Sequence, residues 1–189
     1  MEAFLNYILQ FGSLNKQQID LVSSKARILQ LQKDEYFWEA GKAVRQIGFI
    51  TDGVLRVYYY TNRGDEITRY FIDEQHLIMD GHAADELYVP AEYLQAITDC
   101  RLVVFSKENW REISATIVVW DRIIQKITAK LHKEKLERRS DLVSQDAATR
   151  YRNFLEKFPS LVNRVPLAFI ASYLGITQSS LSRIRKTIR

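Results

Sequence analysis

The spacing of apolar residues changes twice along the chain. Residues 2 to 26 have helical spacing, with one apolar face before Gly12 and another after it. From Ile28 to Phe105 the apolar residues fall in short β-branched and aromatic runs, which turn sequences such as Asn62-Arg63-Gly64-Asp65 separate. Short strands at this regular spacing predict a β-sandwich or barrel. After Lys107 the helical spacing returns.

The helical segment that follows carries a seam of apolar residues at intervals of 4, 3, 4, 3 and 4. This is the a/d spacing of a coiled coil over about three heptads, and it favours a helix that pairs two copies of the chain. The alternative is a helix packed on its own β-domain, because Val118, Val119 and Ile123 widen the apolar stripe. A hinge is expected near Ser140. The predicted dimer interface is Ile113, Ile117, Trp120, Ile124, Ile127 and Leu131.

The positive charge of the chain is concentrated near its C-terminal end. Residues 145 to 189 contain eight Lys and Arg against two Asp and Glu, a net charge of +6. The preceding residues contain 19 Lys and Arg against 21 Asp and Glu, a net charge of −2. A basic module beside a nearly neutral body is typical of nucleic-acid binding.

The segment from Leu167 to Lys186, LAFIASYLGITQSSLSRIRK, has the residue pattern of a DNA-binding helix-turn-helix. Ala171 is the small residue that the first helix needs at the crossing, and Gly175 can adopt the positive φ of a tight turn. Pro166 stands just before the first helix, and Thr177 can cap the second. The apolar contacts between the helices are expected from Ile170, Leu174, Ile176, Leu181 and Ile184.

The outer face of the second helix is basic, polar and free of carboxylates. Arg183 is suited to a bidentate contact with guanine and Gln178 to one with adenine, whereas Arg185 and Lys186 are suited to phosphate. An ordinary helical hairpin is the alternative. The predicted DNA-binding residues are Thr177, Gln178, Ser179, Ser180, Ser182, Arg183, Arg185 and Lys186.

Three segments make the chain resemble the Crp–Fnr superfamily of bacterial transcription regulators: Lys33–Phe71, Ala91–Trp110 and Val165–Lys186. The resemblance implies an α+β fold. It begins with a β-roll, a double-stranded β-helix or jelly roll like that of cyclic-nucleotide-binding domains. A long dimerisation helix and a C-terminal helix-turn-helix follow. The expected ranges are 1–112 for the sensor domain, 113–140 for the dimerisation helix and hinge, and 141–189 for the DNA-binding domain.

The resemblance also implies a homodimer whose two recognition helices enter successive major grooves of double-stranded DNA. RNA polymerase is a further candidate partner. The family's base-reading positions fall on Gln178, Ser179 and Arg183, and only Arg183 keeps the basic character of better-known members. A different operator sequence is therefore expected.

Nucleotide-binding members of this family share a phosphate cassette, in which a Gly-Glu pair precedes an Arg-Ser/Thr-Ala run. Here Gly81 is followed by His82, and Pro90 occupies the position of the arginine, before Ala91. No Arg or Lys occurs from Met79 to Ala96. A buried phosphate without a cationic partner would be strongly disfavoured. We therefore predict that cyclic AMP is not the effector, that this cassette region binds another ligand or none, and that no cofactor is required.

Two other classes of protein remain as alternatives. One is a ligand-binding or protein-contact module whose helix-turn-helix does not bind DNA. The other is a cupin-like metal protein, because His76 and His82 could chelate a metal together with Asp80 or Glu86 in the β-rich region. Surface histidines are the simpler explanation, so no metal site is predicted.

The remaining features of the sequence argue against several functions. The chain contains no catalytic motif such as Gly-x-Ser-x-Gly or His-Glu-x-x-His, so we do not expect an enzyme. Its single cysteine, Cys100, is expected to be a buried structural thiol. No signal peptide or membrane span is recognisable, and we expect a cytoplasmic protein without a membrane partner.

Overall fold

A computed structural model of the protein describes residues 1–79 and 89–188, with the backbone alone for residues 135–144. Two helices, α1 (Glu2–Leu9) and α2 (Lys16–Lys25), precede the strands. The strands are β1 (Arg27–Leu31), β2 (Tyr36–Trp38), β3 (Gln46–Asp52), β4 (Leu55–Tyr60), β5 (Glu66–Ile72), β6 (Leu77–Ile78), β7 (Tyr93–Ala96) and β8 (Cys100–Ser106). The helices that follow are α3 (Lys107–Thr116), α4 (Trp120–Ser144), α5 (Ala147–Lys157), α6 (Leu167–Tyr173) and α7 (Gln178–Thr187).

The strands form two antiparallel sheets that face each other. The first sheet has the order β1-β8-β3-β6 and the second the order β2-β7-β4-β5. Apolar residues of both sheets, including Ile50 and Leu102 from the first and Leu55, Val57 and Leu94 from the second, form one buried cluster between them. The α+β class and the β-roll expected from the sequence are therefore confirmed.

Alternation along β4 directs its side chains to opposite sides of the second sheet. Leu55 and Val57 belong to the core of the β-roll, whereas Arg56 and Tyr58 lie on the outer face. The predicted hairpin at Asn62 to Asp65 joins β4 to β5, and Gly64 has a φ of 84° there. The outer face of the second sheet is the surface that α6 contacts.

The outer face of the first sheet is covered by helices of the same chain. Phe4 of α1 packs edge-on against Phe49, and Trp110 of α3 against both Phe105 and Trp120. These aromatic contacts are the centre of a second buried cluster, to which the start of α4 also belongs. Without α1, α3 and α4, the apolar outer face of the first sheet would therefore be exposed to solvent.

The predicted dimer seam belongs largely to this intramolecular cluster. Ile113, Ile117, Trp120 and Ile127 are at most 1% exposed, so contacts inside the protomer already bury these four residues, and their place in a dimer interface stays a prediction. The seam is also not one helix, because α3 ends at Thr116 and α4 begins at Trp120. Ile124 and Leu131 lie partly buried at the edge of the cluster.

The expected boundary between sensor domain and dimerisation helix, at 112–113, falls inside α3. The packing of the seam inside the protomer and the position of this boundary within α3 have the same physical reason. The large aromatic residues on the outer face of the first sheet need cover, and the nearest apolar helix face supplies it. Within the described residues, no helix is long and apolar enough to cross a bilayer.

Candidate nucleic-acid interface

Helices α6 and α7 form the helix-turn-helix that the sequence pattern predicts. Ala171 is 1% exposed at the crossing, and Gly175 adopts a φ of 64° in the turn. The turn is closed by a hydrogen bond of 3.0 Å from the Ile176 N–H to the Ala171 carbonyl. Five apolar residues hold the two helices together as predicted: Ile170, Leu174 and Leu181 are fully buried, and Ile176 and Ile184 are partly buried.

Thr177 is the N-cap of α7. Its backbone is extended, and its hydroxyl oxygen accepts a hydrogen bond of 3.2 Å from the Ser180 N–H. The hydroxyl also lies 2.9 Å from the Ser180 Oγ, to which it donates. The cap fixes the first turn of α7, where Gln178 and Ser179 are exposed.

The outward face of α7 is open to solvent along its length. Gln178, Ser179, Arg183, Arg185 and Lys186 are exposed, and Ser180 and Ser182 are partly exposed. The Arg183 guanidinium reaches the Ser180 Oγ at 3.4 Å, a weak contact that leaves it able to bind other groups. All eight predicted DNA-binding residues thus lie on one helix and its cap.

A groove of about 450 Å³ runs beside the C-terminal half of α7. Its walls combine apolar side chains of α5 and α6 with the cations at the end of α7. Because these cations border a concave surface, they are suited to a phosphate backbone that passes alongside the helix. The residues that line it are Tyr151, Leu155, Leu167, Ser182, Arg185, Lys186 and Ile188.

Helix α6 contacts the β-roll as well as α7. The Thr68 N–H of β5 donates a hydrogen bond of 2.9 Å to the Ser172 hydroxyl, and Phe169 lies with its ring 3.8 Å from the Arg56 guanidinium carbon. Beneath α6, Tyr173 packs against Phe71 of β5 at 5.6 Å between ring centroids. The helix-turn-helix is therefore docked on the outer face of the second sheet.

The buried side chain of Arg56 lies at the centre of this contact. It is 0% exposed, sits between the rings of Tyr58 and Phe169, and forms an ion pair with Glu66. Its Nε and Nη1 atoms and the Thr68 hydroxyl are buried without a hydrogen-bond partner among the described residues. The two aromatic rings offset part of the desolvation of this guanidinium through cation–π attraction.

An ion pair between Glu74 and Arg164 closes the edge of the docked interface. The Arg164 Nη2 donates to Glu74 Oε1 at 2.5 Å, and Nη1 donates to Oε2 at 3.1 Å. Burial acts to raise the pKa of Glu74, but hydrogen bonds from Arg164 and from the Gly53 N–H outweigh it and hold that pKa below its usual value. The hydrogen bonds that Arg164 donates to Glu74 raise the pKa of Arg164.

The turn between β5 and β6 belongs to the β-roll and contacts both α4 and the C-terminal module. His76 lies 3.1 Å from the Asp73 carboxylate and 3.8 Å from the Glu134 carboxylate of α4. Asp73 accepts a hydrogen bond of 3.4 Å from the Ser160 hydroxyl, next to the helix-turn-helix. This turn therefore joins α4, the β-roll and the C-terminal module at one place.

Comparison with solved structures identifies the fold. FixK2 from Bradyrhizobium japonicum superimposes with a TM-score of 0.75 at 16% identity, over 86% of this chain and 84% of that one. The c-di-GMP-responsive global regulator CLP from Xanthomonas campestris gives 0.73 at 15%, over 92% and 91%. A protein assigned to the Crp/Fnr family of transcriptional regulators from Eubacterium rectale gives 0.72 at 17%, over 96% and 87%. The fold is that of the Crp–Fnr regulators. No family model matches the sequence, and neither does any curated protein.

The cassette position of the Crp–Fnr fold is only partly within the described residues. Gly81 and His82 lie outside them. Met79 packs at the edge of the cluster under α4, the Pro90 carbonyl accepts a hydrogen bond of 2.9 Å from the Gly41 N–H, and Ala91 is exposed. Arg69, a cation outside the cassette region, is paired with Glu92. The absence of control by cyclic AMP stays a prediction.

The metal alternative gains no support from the residues that the structure describes. Among them, no group of three or more His, Cys, Asp and Glu side chains is placed to hold a metal ion. His76 is held by the carbonyl oxygens of Asp73 and Glu74, at 3.2 and 3.0 Å. The other residues of this alternative, Asp80, His82 and Glu86, lie outside the described residues.

Sequence reasoning missed the docked face of α6. The pattern explained Ala171 and Leu174, which face α7, and assigned nothing to Phe169 and Tyr173. These two aromatic residues are four apart, so they form a second apolar stripe on the same helix. This second stripe does not belong to the contact between α6 and α7. It was the signal in the sequence that could have revealed the docked face of α6.

Proposed function

We propose that this protein is a homodimeric, sequence-specific DNA-binding transcription regulator of the Crp–Fnr type that cyclic AMP does not control. The observation that carries the proposal is the exposed, carboxylate-free face of α7 in a complete helix-turn-helix. Such a helix fits the major groove, where its polar side chains reach base edges. We further propose a cytoplasmic location and no enzymatic activity.

Each exposed group of α7 has a distinct proposed role. Arg183 reads guanine through its guanidinium, Gln178 reads adenine through its amide, and Ser179 approaches a neighbouring base edge. Arg185 and Lys186 neutralise phosphates at the groove beside α7. Loss of a base contact should relax sequence preference, whereas loss of a phosphate contact should weaken binding to all sequences.

Dimerisation is proposed through the exposed side of α4. Ile124 and Leu131, the two seam residues that the protomer only partly buries, border Thr128, which is exposed. Ile124, Thr128 and Leu131 follow one another at intervals of four and three residues, as a coiled-coil contact requires. RNA polymerase remains a proposed partner without assigned residues.

Selection of random duplex DNA by the purified protein tests the proposal. We expect a two-fold symmetric motif at near-physiological salt, equally enriched with and without cyclic AMP. Arg183→Ala should lose preference at one base pair per half-site, at a cost of about 1–3 kcal/mol. Arg152→Ala is the matched control, since Arg152 is an exposed cation on α5 outside the α7 face.

The outcomes separate the parts of the proposal. Enrichment that requires cyclic AMP, or calorimetric binding of that nucleotide at low micromolar concentration, would contradict the cassette argument alone. Enrichment of no motif would contradict DNA recognition and favour the protein-contact alternative.

A further inference from the structure

Helix α6 has two packed sides that serve different parts of the molecule. One side carries Ala171 and Leu174, which pack against α7. The other carries Phe169 and Ser172, which contact Arg56 and Thr68 of the second sheet. Any force that holds α6 on the sheet therefore also orients α7, because the helix-turn-helix core is a single packed unit.

The interface has an apolar centre shared by the two modules. Val54, Phe71 and Ile97 of the β-roll belong to the same buried cluster as residues of α5, α6 and α7. Phe71 packs edge-on against Phe154 of α5 with ring centroids 6.3 Å apart. A continuous core of this kind restricts rotation of one module on the other, unlike a flexible hinge alone.

Polar contacts surround this centre and fix its orientation. The two-bond pair between Glu74 and Arg164 lies at one edge, and the Thr68–Ser172 hydrogen bond lies under α6. The β5–β6 turn that carries Glu74 also reaches α4 through His76 and Glu134. The proposed dimer helix and the recognition helix are thus tied to the same turn.

We propose that Glu74, Arg164, Phe169 and Ser172 are positioning residues, which set the separation and rotation of the two recognition helices and so determine the spacer length between DNA half-sites. This inference rests on the proposed DNA-binding function. None of the four needs to touch DNA. They act through α6, so the sequence read within each half-site depends on α7 and the spacer depends on the docked interface.

Two measurements on the full-length protein test the inference. The first is amide hydrogen exchange at Thr68, whose N–H donates to Ser172 across the interface. It requires no DNA. The second is binding to duplexes that carry the selected half-site twice, with spacers one base pair shorter, equal and longer, and to a duplex with a single half-site.

Glu74→Gln is the most informative variant, since it lies on the β-roll and leaves the charge of the DNA-binding module unchanged. The glutamine oxygen can still accept the hydrogen bond of 2.9 Å from the Gly53 N–H. Arg164→Lys, which keeps one charged contact, should rescue most of the function lost in Arg164→Ala. Arg152→Ala controls for loss of a cation from the same module.

We expect slow exchange at Thr68 and a preference of about tenfold for one spacer in the natural protein, as for a coupling of ordinary size. In Glu74→Gln and Arg164→Ala, exchange at Thr68 should accelerate and spacer preference should fall to about two- to threefold. Affinity for the single half-site should stay unchanged.

Unprotected exchange at Thr68 in the natural protein would overturn the inference, because the modules would not be docked. A spacer preference that survives in Glu74→Gln, or tighter binding by that variant, would also overturn it while leaving DNA recognition intact. Failure of the natural protein to select any duplex would instead contradict the proposed function, and the inference with it.

Discussion

At the scale of single residues, Gly53 occupies a position where no side chain fits. Its φ is 103°, and a Cβ atom there would lie 2.5 Å from the Cys100 Sγ and 2.6 Å from the Asp99 carbonyl oxygen. Backbone atoms cannot yield as the end of a flexible side chain can. The residue therefore has two independent reasons to be glycine, conformation and space.

Gly41 provides a matched comparison, since its φ is 78° but nothing lies within 4 Å of its Cβ position. We expect Gly41→Ala to lower the free energy of unfolding by about 1 kcal/mol through its backbone conformation alone. Gly53→Ala should lower the free energy of unfolding by several times that amount, roughly 3 kcal/mol or more, because steric overlap adds to the backbone strain. Urea denaturation of the two variants measures the difference, and equal losses would contradict the steric argument.

The lone thiol, Cys100, is 4% exposed, in agreement with its expected structural role. Burial raises its pKa, although a hydrogen bond with the Thr98 side chain partly compensates. Since the thiolate is the reactive form, the folded protein should react with a disulfide reagent far more slowly than the protein in urea. Comparable rates in the two conditions would mean that the thiol is accessible.

The ionised carboxylate of Glu74 stabilises the docked interface. Its pKa in the folded protein is lower than the usual value of 4.5, so its contribution is complete above that value. It should be lost as the pH falls through the lowered pKa. Thr68 exchange, corrected for the intrinsic pH dependence of amide exchange, should accelerate on acidification in the natural protein. In Glu74→Gln it should be fast at every pH, and a profile identical to that of the natural protein would contradict this assignment.

At the scale of elements, the first turn of α7 depends on its cap. Thr177→Ala removes the acceptor of the Ser180 N–H and should lower the free energy of unfolding by about 1 kcal/mol. Thr177→Ser keeps the hydroxyl oxygen and should be nearly neutral. Thermal unfolding of the free protein separates this effect from any contact with DNA. Similar losses in both variants would indicate that the methyl group, not the cap, is what matters.

Helix α4 has a buried side and a side that is proposed to pair. Ile127 is 0% exposed inside the protomer, so Ile127→Ala should cost about 2–5 kcal/mol of unfolding free energy. Ile124 lies at the edge, and Ile124→Ala should weaken self-association more than it destabilises the protomer. Sedimentation at several concentrations, alongside urea denaturation, tests both statements. The assignment fails if Ile124→Ala leaves the association constant unchanged.

At the scale of the whole molecule, the predictions from sequence succeeded where the local pattern contained the answer. Turn glycines and short β-branched runs predicted a β-sandwich or barrel, and the family resemblance narrowed this to a β-roll. Ala171, Gly175 and Thr177 predicted the helix-turn-helix. The periodicity at Ile113 to Leu131 predicted an apolar face, but periodicity does not identify the surface that covers it. This face belongs to the same buried cluster as Phe49 and Phe105 of the first sheet, and only the tertiary arrangement reveals this.

The docked interface was beyond sequence reasoning for a related reason. Arg56 sits in a strand whose pattern gives no sign of a guanidinium buried beneath a helix more than a hundred residues later. Glu74 and Arg164 are 90 residues apart and belong to segments that look like ordinary polar turns. Contacts between distant segments depend on chain topology, which single-sequence patterns specify only coarsely.

The two-sided packing of α6 has a consequence for exchanging parts between proteins of this fold. A chimera that receives the helix-turn-helix of another protein also receives a different partner for Arg56 and Thr68. On the proposed function, we expect such a graft to read its own half-site but to accept it at the wrong separation. Grafting only the outward residues of α7 would change the sequence that is read and preserve the arrangement, because Phe169 and Ser172 would stay in place.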